Sequence, residues 1–210
     1  MFLTSYCRIK NYRVDVNGSA YFSSEKQSFN DFIHALYQYT QTHYPKFYKM
    51  DNQSKLGMMA AELLLAGNSF LQKYSGEEVG VVLSNAVASA DADQAYYETI
   101  ADPANYFPGP ALFVYTLPSM VTGEICIKYK IKGENAFFIS EDFNPDLLYS
   151  YIDHLLKSKV TKACLGGWIN YDADQSDAFL FTIESTPGLC QEPWNAQTLH
   201  QLYINSPWTR

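Results

Sequence analysis

The chain holds four cysteines and four histidines, the side chains best able to act as nucleophile, proton carrier or metal ligand near neutral pH. Their spacing does not gather them. Cys7, Cys126, Cys164 and Cys190 lie far apart, with no Cys-x-x-Cys pair and no Cys/His cluster at metal-ligand spacing. They read as reduced, mostly buried thiols, and neither a metal site nor a cofactor motif is expected. His34, His43, His154 and His200 read as solvated, His154 on the polar side of its helix. Asp172, Asp174 and Asp177 suggest a calcium loop, but the glycine and the closing glutamate of an EF-hand are missing. A solvated hairpin turn is the better reading. Lys128, Lys130, Lys132, Lys157, Lys159 and Lys162 cluster near helix ends. They could form a patch for an acidic partner, but neutralising helix C-termini explains them more simply.

The elements that must hold these groups follow from periodicity. Met1 to Ile9 reads as a first strand, and the polar stretch from Asn11 to Gln27 as turn-rich, with Asn17-Gly18 a hairpin turn. Phe29, Phe32, Ile33, Leu36 and Tyr37 have helical spacing, and Pro45 ends that helix. Asp51 caps a second helix, from Asn52 to Tyr74, whose middle is apolar nearly all round and therefore buried. Gly57, Ala60 and Ala61 there let another element come close. Glu78 to Ser84 is a buried strand, Ala92 to Ile100 a weak helix, and Pro103 to Pro110 a proline-rich loop carrying exposed aromatics. A helix follows, with Pro118 in its first turn and Gly133 as its C-terminal cap. Ala136 to Ser140 is a short strand. Asn144-Pro145-Asp146 starts a helix with the stripe Leu147, Leu148, Tyr151, Ile152, Leu155 and Leu156. Val160 to Tyr171 and Ala178 to Glu184 form a closing hairpin, and the tail from Pro187 to Arg210 reads as irregular. The order β-α-β-α-β-α-β-β implies an α/β fold, a largely parallel but mixed sheet with helices on both faces.

Composition bounds the function. The 210 residues are 47% hydrophobic and 18% charged, enough apolar material for one sizeable core. Net charge is −7, from 15 basic and 22 acidic residues, so nucleic acid is not an expected partner. The longest apolar run, Ala111 to Tyr115, is far short of the ~20 residues of a membrane span. No basic-then-apolar leader opens the sequence, and a cytoplasmic location is expected. Aromatics reach 16%, with 17 tyrosines, which suits a wet interior or a partner surface.

Four stretches in order and spacing resemble a known family. Lys49-Met-Asp-Asn-Gln-Ser-Lys-Leu-Gly-Met-Met-Ala-Ala-Glu-Leu is similar to its first core helix, and Val79-Gly-Val-Val-Leu-Ser to its second strand. Leu117-Pro-Ser-Met-Val-Thr-Gly-Glu-Ile-Cys-Ile, with Gly133-Glu134 after it, is similar to the helix before the catalytic strand. Ala163-Cys-Leu-Gly-Gly-Trp is similar to the strand before the last hairpin. Together they resemble the N-terminal half of a β-ketoacyl-acyl-carrier-protein synthase, a thiolase-like fold. The likeness is strongest to the small, divergent synthase-like proteins of aryl-polyene and dialkylresorcinol pathways. It covers residues 1–186, with 187–210 as a tail.

The resemblance implies a nucleophilic cysteine at the head of the third helix, but counting along the motifs lands on Glu141 or Asp142. Carboxylates suit a helix start and are poor acyl nucleophiles. The family's two catalytic histidines belong to a second half that residues 1–186 do not include. The implied function is a catalytically degenerate subunit, resembling a chain length factor, partnered with a full-length β-ketoacyl synthase or with itself in fatty acid or polyketide biosynthesis. In the family, subunits pair through the strand before the nucleophile, which points to Ala136, Phe137, Phe138 and Ile139, with Phe113, Tyr115 and Met120 nearby. A half-fold is also expected to bare the apolar face that meets the other half. The alternatives are an enzyme of altered chemistry, such as a malonyl-thioester decarboxylase using Glu141 or Asp142, and a binding module for acyl chains or acyl carrier protein.

Overall fold

The computed structural model describes residues 1–25, 28–67, 69–172, 175–185 and 192–205. One mixed sheet of eight strands organises them, in the order β3-β2-β1-β7-β6-β4-β5, with β8 also paired to β1. Its strands are β1 (Phe2–Lys10), β2 (Arg13–Val16), β3 (Ser19–Ser23), β4 (Val79–Asn85), β5 (Asn135–Ile139), β6 (Ala163–Asp172), β7 (Gln175–Glu184) and β8 (Glu192–Pro193). The helices are α1 (Phe29–Tyr39), α2 (Asn52–Leu65), α3 (Phe70–Lys73), α4 (Ala90–Glu98), α5 (Pro110–Phe113), α6 (Met120–Tyr129), α7 (Pro145–Lys157) and α8 (Ala196–Ile204).

Strands β4, β5 and β6 pair in parallel, while β7 runs antiparallel to both β6 and β1. Four strands of the five-stranded core therefore share one direction, as the alternating pattern implies, and β7 alone is reversed. Parallel pairing is nevertheless confined to β6-β4-β5, because β1 docks beside β7 and not beside a parallel neighbour. The polar stretch expected as loop adds strands β2 and β3 through a tight turn with Asn17 at φ 51° and Gly18 at φ 76°. The Asn17 side chain holds the turn by accepting from Tyr6 N at 2.9 Å.

Helices α1, α2 and α6 cover one face of the sheet, with Phe32, Leu56, Met59, Val121 and Ile169 buried in that core. α2 is shorter than its apolar run suggests. Ala66 turns extended at ψ 125°, and α3 is a separate turn. Gly57 lets α2 lie against α6 and β6: a Cβ there would stand 2.3 Å from Val121 Cγ2 and 2.7 Å from Ile169 Cδ1. Two helix-boundary expectations are corrected for α6. Pro118 precedes the helix, and the cap is Lys130 in the left-handed region at φ 57°, not Gly133.

Asp51 caps α2, accepting from Ser54 N at 3.1 Å. Burial pushes its carboxyl up to about 6, against the Ser54 hydrogen bonds and Lys55, and with Asp91 adding repulsion. A raised carboxyl contributes stability that is complete below its unfolded value of about 3.9 and is lost as pH rises through about 6. Asp51→Asn keeps a good cap without the buried charge. It raises the melting temperature above that of the parent chain at pH 7.5, by the equivalent of about 1–2 kcal/mol, and the gap closes as pH falls towards ~4. Melting curves across that range check it; a gap that does not depend on pH refutes it.

On the other face lie α7 and α8. Asn144 caps α7 through Leu147 N at 3.0 Å, and Leu148, Ile152, Leu155 and Leu156 point to the sheet. The tail is not irregular throughout: β8 extends the sheet and α8 packs beside α7 through Leu199. Tyr203 of α8 lies 4.3 Å from the Phe143 ring and donates to Asp177 Oδ2 at 2.6 Å. The outward side of α7 is polar, with Asp146, Ser150, His154 and Lys157 exposed. This face of the sheet is therefore roofed by α7 and α8.

Candidate functional site

The strands that share a direction end at one edge of the sheet, where α/β proteins commonly place their sites. Asn85, fully buried at the end of β4, donates to Gln53 Oε1 at 2.6 Å and to Ala88 O at 2.7 Å. Asn170 of β6 accepts from Ala86 N at 3.0 Å, and Gln53 Nε2 donates to Pro118 O at 3.3 Å. These amides tie the head of α2, the ends of β4 and β6 and the approach to α6 into one frame.

The loop from β5 to α7 lies at the same edge. Ser140 N donates to Asn85 O at 2.9 Å, and Ser140 Oγ to Asp142 O at 2.9 Å. Glu141 and Asp142 are exposed, immediately before the Asn144 cap. No described cysteine is near the head of α7. Cys7 and Cys164 are buried within β1 and β6, where burial pushes both thiols far up, and Cys126 sits half-buried in α6. Cys190 lies outside the described residues. His43, His154 and His200 are exposed, while His34 packs beside Phe47 and Tyr48. Asp177 is turned to Lys10 at 2.7 Å and Tyr203, and Asp174 lies outside the described residues. Among the described residues no three His, Cys, Asp or Glu side chains gather as a metal ion would need. No described helix is long and apolar enough to cross a membrane.

The surface beside this edge is apolar. Between α4 and α6 the chain exposes Tyr106, Phe107, Leu112, Phe113, Val114 and Leu117, with Phe107 80% and Leu117 60% exposed. The loop is nonetheless pinned. Asp102 accepts from Ala104 N at 2.8 Å, Phe107 N donates to Thr99 O at 3.0 Å, and Gly109 N donates to Thr99 Oγ1 at 3.2 Å. Ser89 Oγ donates to Thr116 O at 3.0 Å. Tyr115 turns inward, 7% exposed, and donates to the fully buried Glu124 at 3.1 Å; burial and that carboxylate push its hydroxyl far up. Lys46 reaches the same Glu124 oxygen at 2.9 Å.

Of the residues expected at a partner surface, Phe113 is exposed, Met120 half-buried, and Tyr115 faces the interior. β5 is the edge strand, paired only to β4 among the described strands. Ala136, Phe137 and Phe138 are half-buried, and Ile139 is 52% exposed. Phe137 packs towards α2 and α6, whereas Phe138 meets Tyr151 of α7 at 5.1 Å. Tyr106, Phe107 and Leu117 are exposed positions on this surface that are absent from that expectation. The prolines bracketing the two aromatics were the available signal.

Solved structures share this architecture. A chain from a structure described as a type II polyketide synthase acyl-carrier protein in complex with its ketosynthase bound to the hexaketide superposes at a TM-score of 0.64 and 13% identity, over 88% of this chain and 62% of that one. The ishigamide ketosynthase/chain length factor gives 0.64 and 13% over the same shares. The fold is thiolase-like. A ketosynthase in complex with its chain length factor from Xenorhabdus doucetiae matches at 0.57 and 12% identity, over 97% of this thiolase-like chain and 90% of that one. The chain thus spans under two thirds of the first two structures and nearly the whole of the third. No protein-family model and no curated protein matches it. The loop carrying Glu141 and Asp142 stands just before the Asn144 cap of α7.

Proposed function

We propose that the chain is a chain-length-factor-like subunit that pairs with a ketosynthase in polyketide biosynthesis and carries out no acyl condensation itself. The observation that supports this best is the pinned apolar surface from Tyr106 to Leu117. Side chains this apolar, on a loop fixed by hydrogen bonds at both ends, are costly in water and well prepared for a partner. The exposed carboxylates at the head of α7 agree with a supporting role, since they offer neither a thiolate nor a donor for a developing oxyanion. The fold likeness supplies the partner's class, because two of the matched structures are ketosynthase and chain length factor assemblies by their own descriptions.

The test is native mass spectrometry of the chain mixed with a full-length ketosynthase from its own host. A 1:1 complex is expected. A homodimer that ignores the ketosynthase overturns the proposal.

A further inference from the structure

At the opposite end of α6 from the apolar surface, an open groove of about 540 Å³ runs between the helix C-terminus and the turn Gly76–Glu78. Its apolar lining is Cys126, Ile127 and Ile131. Ile131 is 4% exposed and forms the floor; Ile127 is 63% exposed and forms a wall. The rim carries Lys130, Lys132 and Glu77. The volume is within the range of small-molecule sites.

The two rim lysines differ from their neighbours. Lys128 is held by Glu62, Lys157 by Asp153 and Lys162 by Glu78. Lys132 donates to Glu77 at 3.3 Å, both side chains being about two-thirds exposed, which makes a direct but weak surface pair. Lys130 forms no ion pair among the described residues, and the left-handed backbone at φ 57° fixes where its side chain leaves the helix end. A chain of net charge −7 therefore sets two lightly engaged cations over an apolar floor.

The backbone around the groove is already satisfied. Cys126 O accepts from Lys130 N and Ile131 N, and Gly76 O accepts from Lys132 N and Gly133 N. The amides of Lys130, Ile131, Lys132 and Gly133 are therefore not free to pair with a peptide adding as a strand. What remains is an apolar floor with positive charge at one end. From this geometry we infer that the groove binds a single-chain anionic amphiphile, a fatty carboxylate, with its chain on Ile127 and Ile131 and its carboxylate between Lys130 and Lys132.

The experiment titrates the intact chain with dodecanoate, following backbone amide shifts by NMR, and repeats the titration with dodecyltrimethylammonium and with acetate. Saturable shifts at Cys126, Ile127, Ile131 and Lys132 are expected with dodecanoate alone. Lys130→Gly suits a left-handed cap and removes the charge without straining the fold. It is expected to weaken binding at least about tenfold with an unchanged melting temperature. Ile127→Asp, at an exposed position, is the second variant and is expected to abolish binding. The inference is overturned if dodecanoate does not bind, if the cationic amphiphile binds equally well, if the shifts fall on residues 106–117, or if both variants bind as the parent does. None of these outcomes depends on the ketosynthase partner.

Discussion

Gly57→Val lowers the melting temperature of the isolated chain by roughly 6–12 °C, the equivalent of about 3 kcal/mol for a protein of this size. The cause is local. The first added carbon would already stand 2.3 Å from Val121 Cγ2 and 2.7 Å from Ile169 Cδ1, and both neighbours are fully buried in the main core. Neither can move aside without parting α2 from α6 or β6, so the extra volume becomes strain. Removing a helical glycine works the other way, by several tenths of a kcal/mol, and is too small to compensate. Gly123→Ala in α6 isolates that opposing effect, because a Cβ there meets nothing within 4 Å. It is expected to stabilise by about 0.5–1 kcal/mol. Paired thermal melts check both, and a Gly57→Val chain that melts like the parent refutes the close packing of α2.

The second large effect is on assembly. Phe107→Asp combined with Phe113→Asp is expected to weaken the proposed pairing with a ketosynthase at least about 30-fold while leaving the chain's own melting temperature within a degree or two. The two rings are 80% and 59% exposed, so the fold has little to lose. Exposed aromatics on a braced loop fit the pattern of interface anchors, whose truncation costs about 2 kcal/mol or more each. Phe138 is a less informative choice. It is half-buried and packs on Tyr151, so a charge there would damage the α7 face as well as any pairing through β5. Native mass spectrometry reads the result directly: an undiminished complex mass for the double variant excludes this surface from the interface.

How far the sequence is legible depends on whether the signal is local. The stripe from Phe29 to Tyr37, the Asp51 and Asn144 caps and the Asn17-Gly18 turn are written in neighbouring residues, and the structure forms each of them. β2 and β3 are short and set among turn residues, so their alternation is hard to read, and pairing of β2 to β1 and of β3 to β2 makes them strands. α8 buries a single residue fully, Leu199, and sits between prolines, which leaves its stripe too thin to read. The place of β1 beside β7 rests on contacts more than 160 residues apart, such as Lys10 with Asp177, and no local pattern encodes it. The candidate site divides in the same way. The start of α7 just after Glu141 and Asp142 is written locally, in Asn144-Pro145-Asp146. The inward turn of Tyr115, against the outward turn of Phe113 two residues earlier, is decided by Glu124, an acid buried in another helix.

The roof that α7 and α8 place over the second face of the sheet bears on how such a subunit is supplied. A half-fold with that face bare would have to find its counterpart at once or be lost to aggregation and proteolysis. Here Phe179, Phe181 and Trp168 are already covered, and the outer side of α7 is hydrated. On the proposed role the chain is storable: it could be made ahead of a ketosynthase or in excess, with the apolar stretch from Tyr106 to Leu117 left exposed to recognise it.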